Sequence, residues 1–303
     1  MSVRTMNMLA KTIGKLSLLL FLMPSLALAQ PNPCDPIAVL NAFNDAAAAG
    51  TVESWAEGYQ NGACSGTINA AVQQFADGYH LLALPQPQFE LAFAFSGEQS
   101  ISVPYSEDLQ LQHVTLEAWV SPDSARPSWQ PLITREGDNG YSRNYGMFIA
   151  PASLNVHVSV MLANCMTNLY FDSSAALMPD VWTHLAMTYD GKALRLFVNG
   201  ILDTELDVSQ YGSDPLLCIS DYPLYMGEHA NVSTYSSYSG QMADVRLWDR
   251  AMTRAEIREN MFMSLTGDES GLVAYWRLDE PQDSDTISDL AGDHDGVIIV
   301  ESQ

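Results

Sequence analysis

Two short turns constrain this chain more than any other feature. Tyr189-Asp190-Gly191-Lys192 and Val198-Asn199-Gly200-Ile201 each place Asp-Gly or Asn-Gly between alternating apolar runs. These dipeptides favour tight turns whose twist matches a pair of antiparallel strands. Together they predict a three-stranded meander over residues 181–206. Leu194, Leu196 and Val198 fall on one of its faces, Arg195 and Phe197 on the other. Three aliphatics on one face assign that face to the core.

The same period of two runs from about residue 89 to the C-terminal end. Strand-like runs read Phe89–Phe95, Ser100–Val103, Val114–Val120, Tyr145–Ala150, Leu154–Met161, Val181–Tyr189, Leu194–Val198, Leu224–Gly227, Met242–Trp248, Leu272–Leu278 and Val297–Val300. Many short strands separated by turn residues predict a mainly β, two-sheet antiparallel sandwich or jelly roll over residues 88–303.

The first 87 residues read differently. Arg4, Lys11 and Lys15 precede a short apolar run, Leu16–Leu22, and Ala27-Leu28-Ala29 is a small-x-small cleavage site. Residues 1–29 are thus expected to be a signal peptide, and the mature chain to be secreted, or periplasmic in a double-membraned bacterium. No later segment has the roughly 18 apolar residues of a membrane helix. Residues 30–87 predict a small helical region and linker. Asp35-Pro36 supplies a cap and a first-turn proline, and Ile37, Leu40 and Phe43 recur at helical spacing. Ile68, Ala71, Val72, Phe75 and Tyr79 give the clearest apolar face, and the prolines of Leu84-Pro85-Gln86-Pro87 enforce an extended connection. An even cysteine count in an exported protein predicts two disulfides. The pairing Cys34–Cys64 with Cys165–Cys218 keeps each bridge local, and is one of three connectivities.

Charge narrows the partners. Removing the leader, with its three basic residues and no acid, takes the net charge from −23 to −26. Such a chain repels nucleic acid and anionic lipid, so neither is an expected partner.

Several stretches, taken in order, resemble the laminin-G-like jelly rolls of the concanavalin A-like lectin superfamily. They are Phe95-Ser96-Gly97 with Ile101-Ser102-Val103-Pro104, then Leu116-Glu117-Ala118-Trp119-Val120. Trp182-Thr183-His184-Leu185-Ala186-Met187-Thr188-Tyr189-Asp190-Gly191 with Leu196-Phe197-Val198-Asn199-Gly200 follows. Gly240-Gln241-Met242-Ala243-Asp244-Val245-Arg246-Leu247-Trp248 and Gly271-Leu272-Val273-Ala274-Tyr275-Trp276-Arg277-Leu278-Asp279-Glu280 complete the series. The resemblance implies the fold but little about a ligand. Ser96 stands where relatives often carry an aspartate. The Tyr-Trp-x-x-Asp-Glu segment, which often opens a domain in relatives, is read here as a strand pair completing the sandwich.

Signatures of chemistry are sparse. A retaining glycosidase needs two carboxylates about 5–5.5 Å apart, and no strand carries such an array. Glu117 stands alone on its strand, Asp244 is paired by spacing with Arg246, and His184 reads as structural. The chain is therefore read as non-enzymatic. Calcium is a candidate cofactor because seven aspartates and glutamates crowd residues 279–295. The resemblance points to Asp279 and Asp289 as its ligands, against the alternative of a solvated acidic loop. A glycan or glycoprotein site would use aromatic rings and planar polar groups. Two segments read as loops of that composition: Arg135–Tyr145, with Arg135, Tyr141, Asn144 and Tyr145, and His229–Tyr238, with Tyr235 and Tyr238. The second also holds the sequon Asn231-Val232-Ser233. The expected partner is a glycan or an extracellular protein. The alternative role is assembly, in which the helical region docks a partner.

Met242–Ile257 poses one further question. Its charges beside Trp248 read either as a site or as the seam where a strand leaves a sheet into a helix capped by Thr253 and Glu256, and the seam is the reading adopted.

Overall fold

The structure, a computed structural model, describes residues 92–137, 143–228, 237–281 and 284–300, with Ala42, Ala46 and Phe89. Ala42 and Ala46 are helical. The remainder of the expected helical region, the leader, Cys34 and Cys64 lie outside the described residues.

In chain order the described residues form β1 (Phe93–Ser96), β2 (Gln99–Val103), β3 (Val114–Pro122), β4 (Gln130–Glu136), β5 (Arg143–Ile149), β6 (Asn155–Met161) and β7 (Asn168–Ala176). There follow β8 (Thr183–Tyr189), β9 (Ala193–Val198), β10 (Ile201–Asp207), β11 (Leu224–Met226), β12 (Ser239–Trp248), helix α1 (Arg254–Asn260), β13 (Leu272–Trp276), β14 (Thr286–Ile287) and β15 (Gly296–Val300). The strands build two antiparallel sheets. The first runs β1-β12-β3-β8-β9-β10, with β13 also on β12, and the second runs β14-β15-β2-β11-β4-β5-β6-β7. Alternate side chains of both sheets meet in one core, including Phe93, Ile101, Leu116, Met147, Val158, Leu185, Leu196, Met242 and Trp276.

The meander forms as its turns require. Val198 pairs directly with Ile201, so Asn199 and Gly200 make a two-residue turn with φ of 51° and 71°. Leu194 and Leu196 enter the core, while Phe197 faces the helix side of the sheet. Cys165 and Cys218 form a disulfide across a separation of 53 residues. Closing a loop of that length removes about 4 kcal/mol of unfolded-chain freedom in the chain-entropy account.

β12 answers the question of Met242–Ile257. Its first half pairs with β1 and its second half with β13 on the same edge. At the changeover its register against β3 shifts between Ala243 and Arg246, and Asp244 takes a φ of 50°. Such a bulge resets the alternation, so Met242, Val245 and Leu247 all face the core. Arg246 emerges on the opposite face and is fully buried there, with Glu117 of β3. Arg246 thus pairs with Asp244, as the spacing suggests, but also with Glu117, which is not alone. Glu117 accepts from Trp248 Nε1 at 3.1 Å, with His184 Nε2 at 3.5 Å and an Arg246 nitrogen at 3.6 Å. Burial alone would raise the Glu117 carboxyl. The His184 hydrogen bond, the charges of His184 and Arg246 and the Trp248 N–H outweigh it and hold the carboxyl below its usual range.

Arg246 also donates to the carbonyls of Asn260 at 3.0 Å and Met263 at 2.7 Å, and Trp119 Nε1 donates to Met261 O at 2.8 Å. These carbonyls belong to the end of α1 and the turn after it. Thr253 and Glu256 form the expected capping box at its start. The seam is thus a buried charge cluster that fastens the helix to the sheet. Removing one member of such a cluster leaves the others buried and uncompensated, which typically costs about 3–5 kcal/mol. Arg246→Met should lower unfolding free energy in urea by about that amount. A loss below about 1 kcal/mol would show that the cluster does not hold this face together.

Candidate functional site

Alternation divides β5, β6 and β7 between two faces. Tyr145, Met147, Ile149, Val156, Val158, Val160 and Leu169 go to the core. The opposite face carries a chemically richer set in register. Phe148, His157 and Asp172 are successive cross-strand partners, and Gly146, Ser159 and Tyr170 form the next row.

Gly146 sets the shape of this face. A Cβ there would stand 2.8 Å from the ring of Phe148 and 3.5 Å from Cδ of Arg143. Because none is present, the Arg143 guanidinium lies over the Phe148 ring, 4.7 Å from its centroid. Arg143 is then fixed from two sides. Its Nε and a terminal nitrogen donate to the two oxygens of Glu136 at 2.8 and 2.9 Å. Its other terminal nitrogen donates to the Ser159 hydroxyl. Both residues of the pair are buried.

Rings wall the space above. Trp129, just before β4, meets His157 edge-on at 4.7 Å, and His157 lies 5.4 Å from Tyr170. The result is a groove of about 320 Å³ lined by Trp129, Arg143, Phe148, His157, Asn168 and Tyr170. Tyr170 is 58% exposed, unusual for so large a ring and a mark of an available face. His157 Nδ1 sits 2.7 Å from Asp172 Oδ1. Burial pushes the imidazole below its ordinary pKa; the Asp172 bond opposes this, and the nearby Arg143 charge adds to it. A neutral ring that donates from Nδ1 to the carboxylate keeps a lone pair on Nε2.

The residues singled out in the sequence meet different fates. Tyr141 and Tyr235 lie outside the described residues, as does the sequon. Arg135, Asn144 and Tyr145 lie in strands and are fully buried, as is Tyr238. Strand alternation aims Tyr145 into the core, where its hydroxyl donates to Leu109 O at 3.0 Å and burial pushes its pKa up. Tyr238 packs against Phe95 and donates to Gln241 O at 3.1 Å. Arg135 donates to Ser220 O at 2.7 Å, and Asn144 to Cys218 O at 2.9 Å. Arg135 and Asn144 thus hold residues 218–220 against the sheet, and none of the four lines the groove. Arg143, inside the same segment, does. Trp129, Phe148, His157, Asn168 and Tyr170 were not read from the sequence. The alternation of Asn168, Tyr170 and Asp172 with Leu169 and Phe171 was a signal that could have found Asn168 and Tyr170.

The acidic C-terminal stretch is tightly bonded within itself. Asp289 Oδ1 accepts from the backbone N–H of Tyr275 at 2.8 Å and of Ala291 at 2.9 Å. Its Oδ2 accepts from His294 N at 3.2 Å and contacts His294 Nδ1 at 2.9 Å. Asp279 pairs with Arg277 at 2.9 Å. A calcium ion on Asp279 and Asp289 would have to displace these partners. Among the described residues, no group of three or more His, Cys, Asp or Glu side chains is arranged to hold a metal ion.

A family model described as the concanavalin A-like lectin/glucanases superfamily matches residues 95–258, more than half of the chain. No curated protein matches it. Among solved structures, the chain is similar to a candidate carbohydrate binding protein from Bacteroides ovatus, at 24% identity and a TM-score of 0.56. The match covers 68% of this chain and 57% of that one, so the likeness spans little over half of that protein. A more distant similarity reaches the CBM40 of Ruminococcus gnavus IT-sialidase, solved with α2,3-sialyllactose, at 17% identity and a TM-score of 0.42 over 56% of this chain and 95% of that one. Another reaches domain 4 of a Geobacillus stearothermophilus extracellular arabinanase in complex with arabinotriose, at 15% identity and a TM-score of 0.43 over 58% and 78%.

The groove makes Gly146 testable without a ligand. Replacing a strand glycine by alanine ordinarily stabilises, by roughly 0.4–1 kcal/mol. Here the added methyl must push the Phe148 ring from beneath Arg143, an overpacking that costs about 1–3 kcal/mol. Gly146→Ala should therefore lower the unfolding free energy. A more stable variant would mean that the ring and guanidinium are not held as described.

Proposed function

We propose, since the chain belongs to the laminin-G-like family of the concanavalin A-like lectin/glucanase superfamily, that it is a non-enzymatic glycan-recognition protein acting outside the cytoplasm. Its recognition surface is the outer face of β4–β7. The observation that carries this reading is the groove itself: the exposed Tyr170 ring and the half-buried Trp129 ring beside planar, fixed hydrogen-bonding groups. A sugar ring presents apolar C–H faces and a rim of hydroxyls. Trp129 and Tyr170 offer surfaces for the first, while Asn168, Arg143 and His157 offer partners for the second.

The way the carboxylates are used supports binding without hydrolysis. Glu136 is forked onto Arg143, and Asp172 is hydrogen-bonded to His157. Neither is free to serve as a general acid or nucleophile facing a sugar. The disulfide supports an oxidising compartment, and among the described residues no helix is long and apolar enough to cross a membrane.

The test is a polysaccharide and oligosaccharide array probed with the full chain. Tyr170→Ala and Trp129→Ala should each weaken retention, by about five- to thirtyfold for an aromatic contact worth about 1–2 kcal/mol. Tyr170 is exposed, so its variant should melt like the parent. Undiminished retention by the double variant would exclude the groove, and release of reducing ends would overturn the non-enzymatic reading.

A further inference from the structure

The floor of the groove bears on which glycans it can take, and this step rests on the glycan reading above. Its only cation is already spent: Arg143 is matched by Glu136 through two hydrogen bonds and held by Ser159. A second carboxylate, Asp172, stands beside it on His157, with its side chain 55% exposed. The one cation lining the groove is therefore matched by the buried Glu136, with Asp172 as a second carboxylate behind His157, within a chain of net charge −23. An anionic sugar entering it would meet no unmatched positive charge.

His157 supplies the complementary polar feature. Its Nδ1 is engaged by Asp172, and its Nε2 is the ring atom left for a ligand. The imidazole edge lies between the Trp129 and Tyr170 rings. An acceptor in that position suits a hydroxyl donor.

We infer that the groove selects neutral glycans, with a sugar hydroxyl donating to His157 Nε2, and discriminates against sugars that carry carboxylates. The acceptor exists only while the ring is neutral. The groups facing His157 are Asp172 and Tyr170 on β7, Arg143 on β5 and Glu136 on β4. Because burial depresses its pKa, the neutral form persists through neutral pH, and the acceptor is lost as pH falls through that lowered value.

The experiment uses the full chain and matched probes that differ by one charge: lactose against α2,3-sialyllactose, and xylo-oligosaccharides with and without a glucuronic acid branch. Neutral members should bind at least about tenfold more tightly, the equivalent of one lost hydrogen bond plus charge repulsion. His157→Phe, which keeps a ring but no acceptor, should lose about tenfold toward neutral probes. His157→Gln, which keeps an acceptor that does not titrate, should retain binding and lose its fall at acid pH. Melting curves of both variants exclude unfolding as the cause. Equal or tighter binding of the acidic members would overturn the selectivity while leaving glycan recognition intact. Equal losses in His157→Phe and His157→Gln would overturn the acceptor role. No binding of any probe, neutral or acidic, would overturn both this inference and the reading it rests on.

Discussion

Burial of the Glu117 and Arg246 charges decides what the first sheet can do. Two ionised groups with almost no exposure persist only because His184, Trp248 and three backbone carbonyl or carboxylate contacts surround them. Those contacts require α1 and the turn that follows it to lie flat against β3 and β12. The part of that face beneath α1 is consequently closed, and its polar chemistry is consumed internally. The second sheet keeps the same vocabulary, with an arginine, a glutamate, a histidine and a tryptophan ring, but leaves the rings of Trp129 and Tyr170 accessible to solvent. The asymmetry between the two faces, rather than any single residue type, separates a covered charge cluster from an open groove here.

The fold was readable because its strongest signals are local. Asp190-Gly191 and Asn199-Gly200 determine two turns, and Leu194 and Leu196 determine which way the strand between them faces. Thr253 and Glu256 likewise announce the helix. The bulge at Asp244 was not legible, since strict alternation from Met242 puts Val245 on the wrong face until a residue is inserted. The strand runs also omitted β4 and β7. β4 begins Gln130-Pro131 and ends in charge, and half of β7 is serine and alanine, so neither carries the aliphatic density of a buried strand.

Those two omissions explain why the groove was not read from the sequence. Aromatic and planar polar residues clustered in sequence at Arg135–Tyr145, and this suggested a loop. In three dimensions that segment contributes two strand ends, and its Arg135, Asn144 and Tyr145 are interior. The groove is instead assembled from one residue before β4, two on β5, one on β6 and two on β7, separated by as many as 41 positions between Trp129 and Tyr170. No window of the sequence contains it. Cross-strand register brings it together, and register depends on pairing that composition does not encode.

The fixing of Arg143 has a consequence for the thermodynamics of capture. A free arginine gives up most of its rotamer freedom when a ligand immobilises it, and ordering such a side chain costs about 0.5–1.5 kcal/mol. Here the fork onto Glu136, the Ser159 hydroxyl and the Phe148 ring have already imposed that order during folding. His157 is likewise oriented by Asp172 before anything arrives. A molecule entering the groove would thus meet a rigid template, and the entropic penalty of association would fall mainly on that molecule.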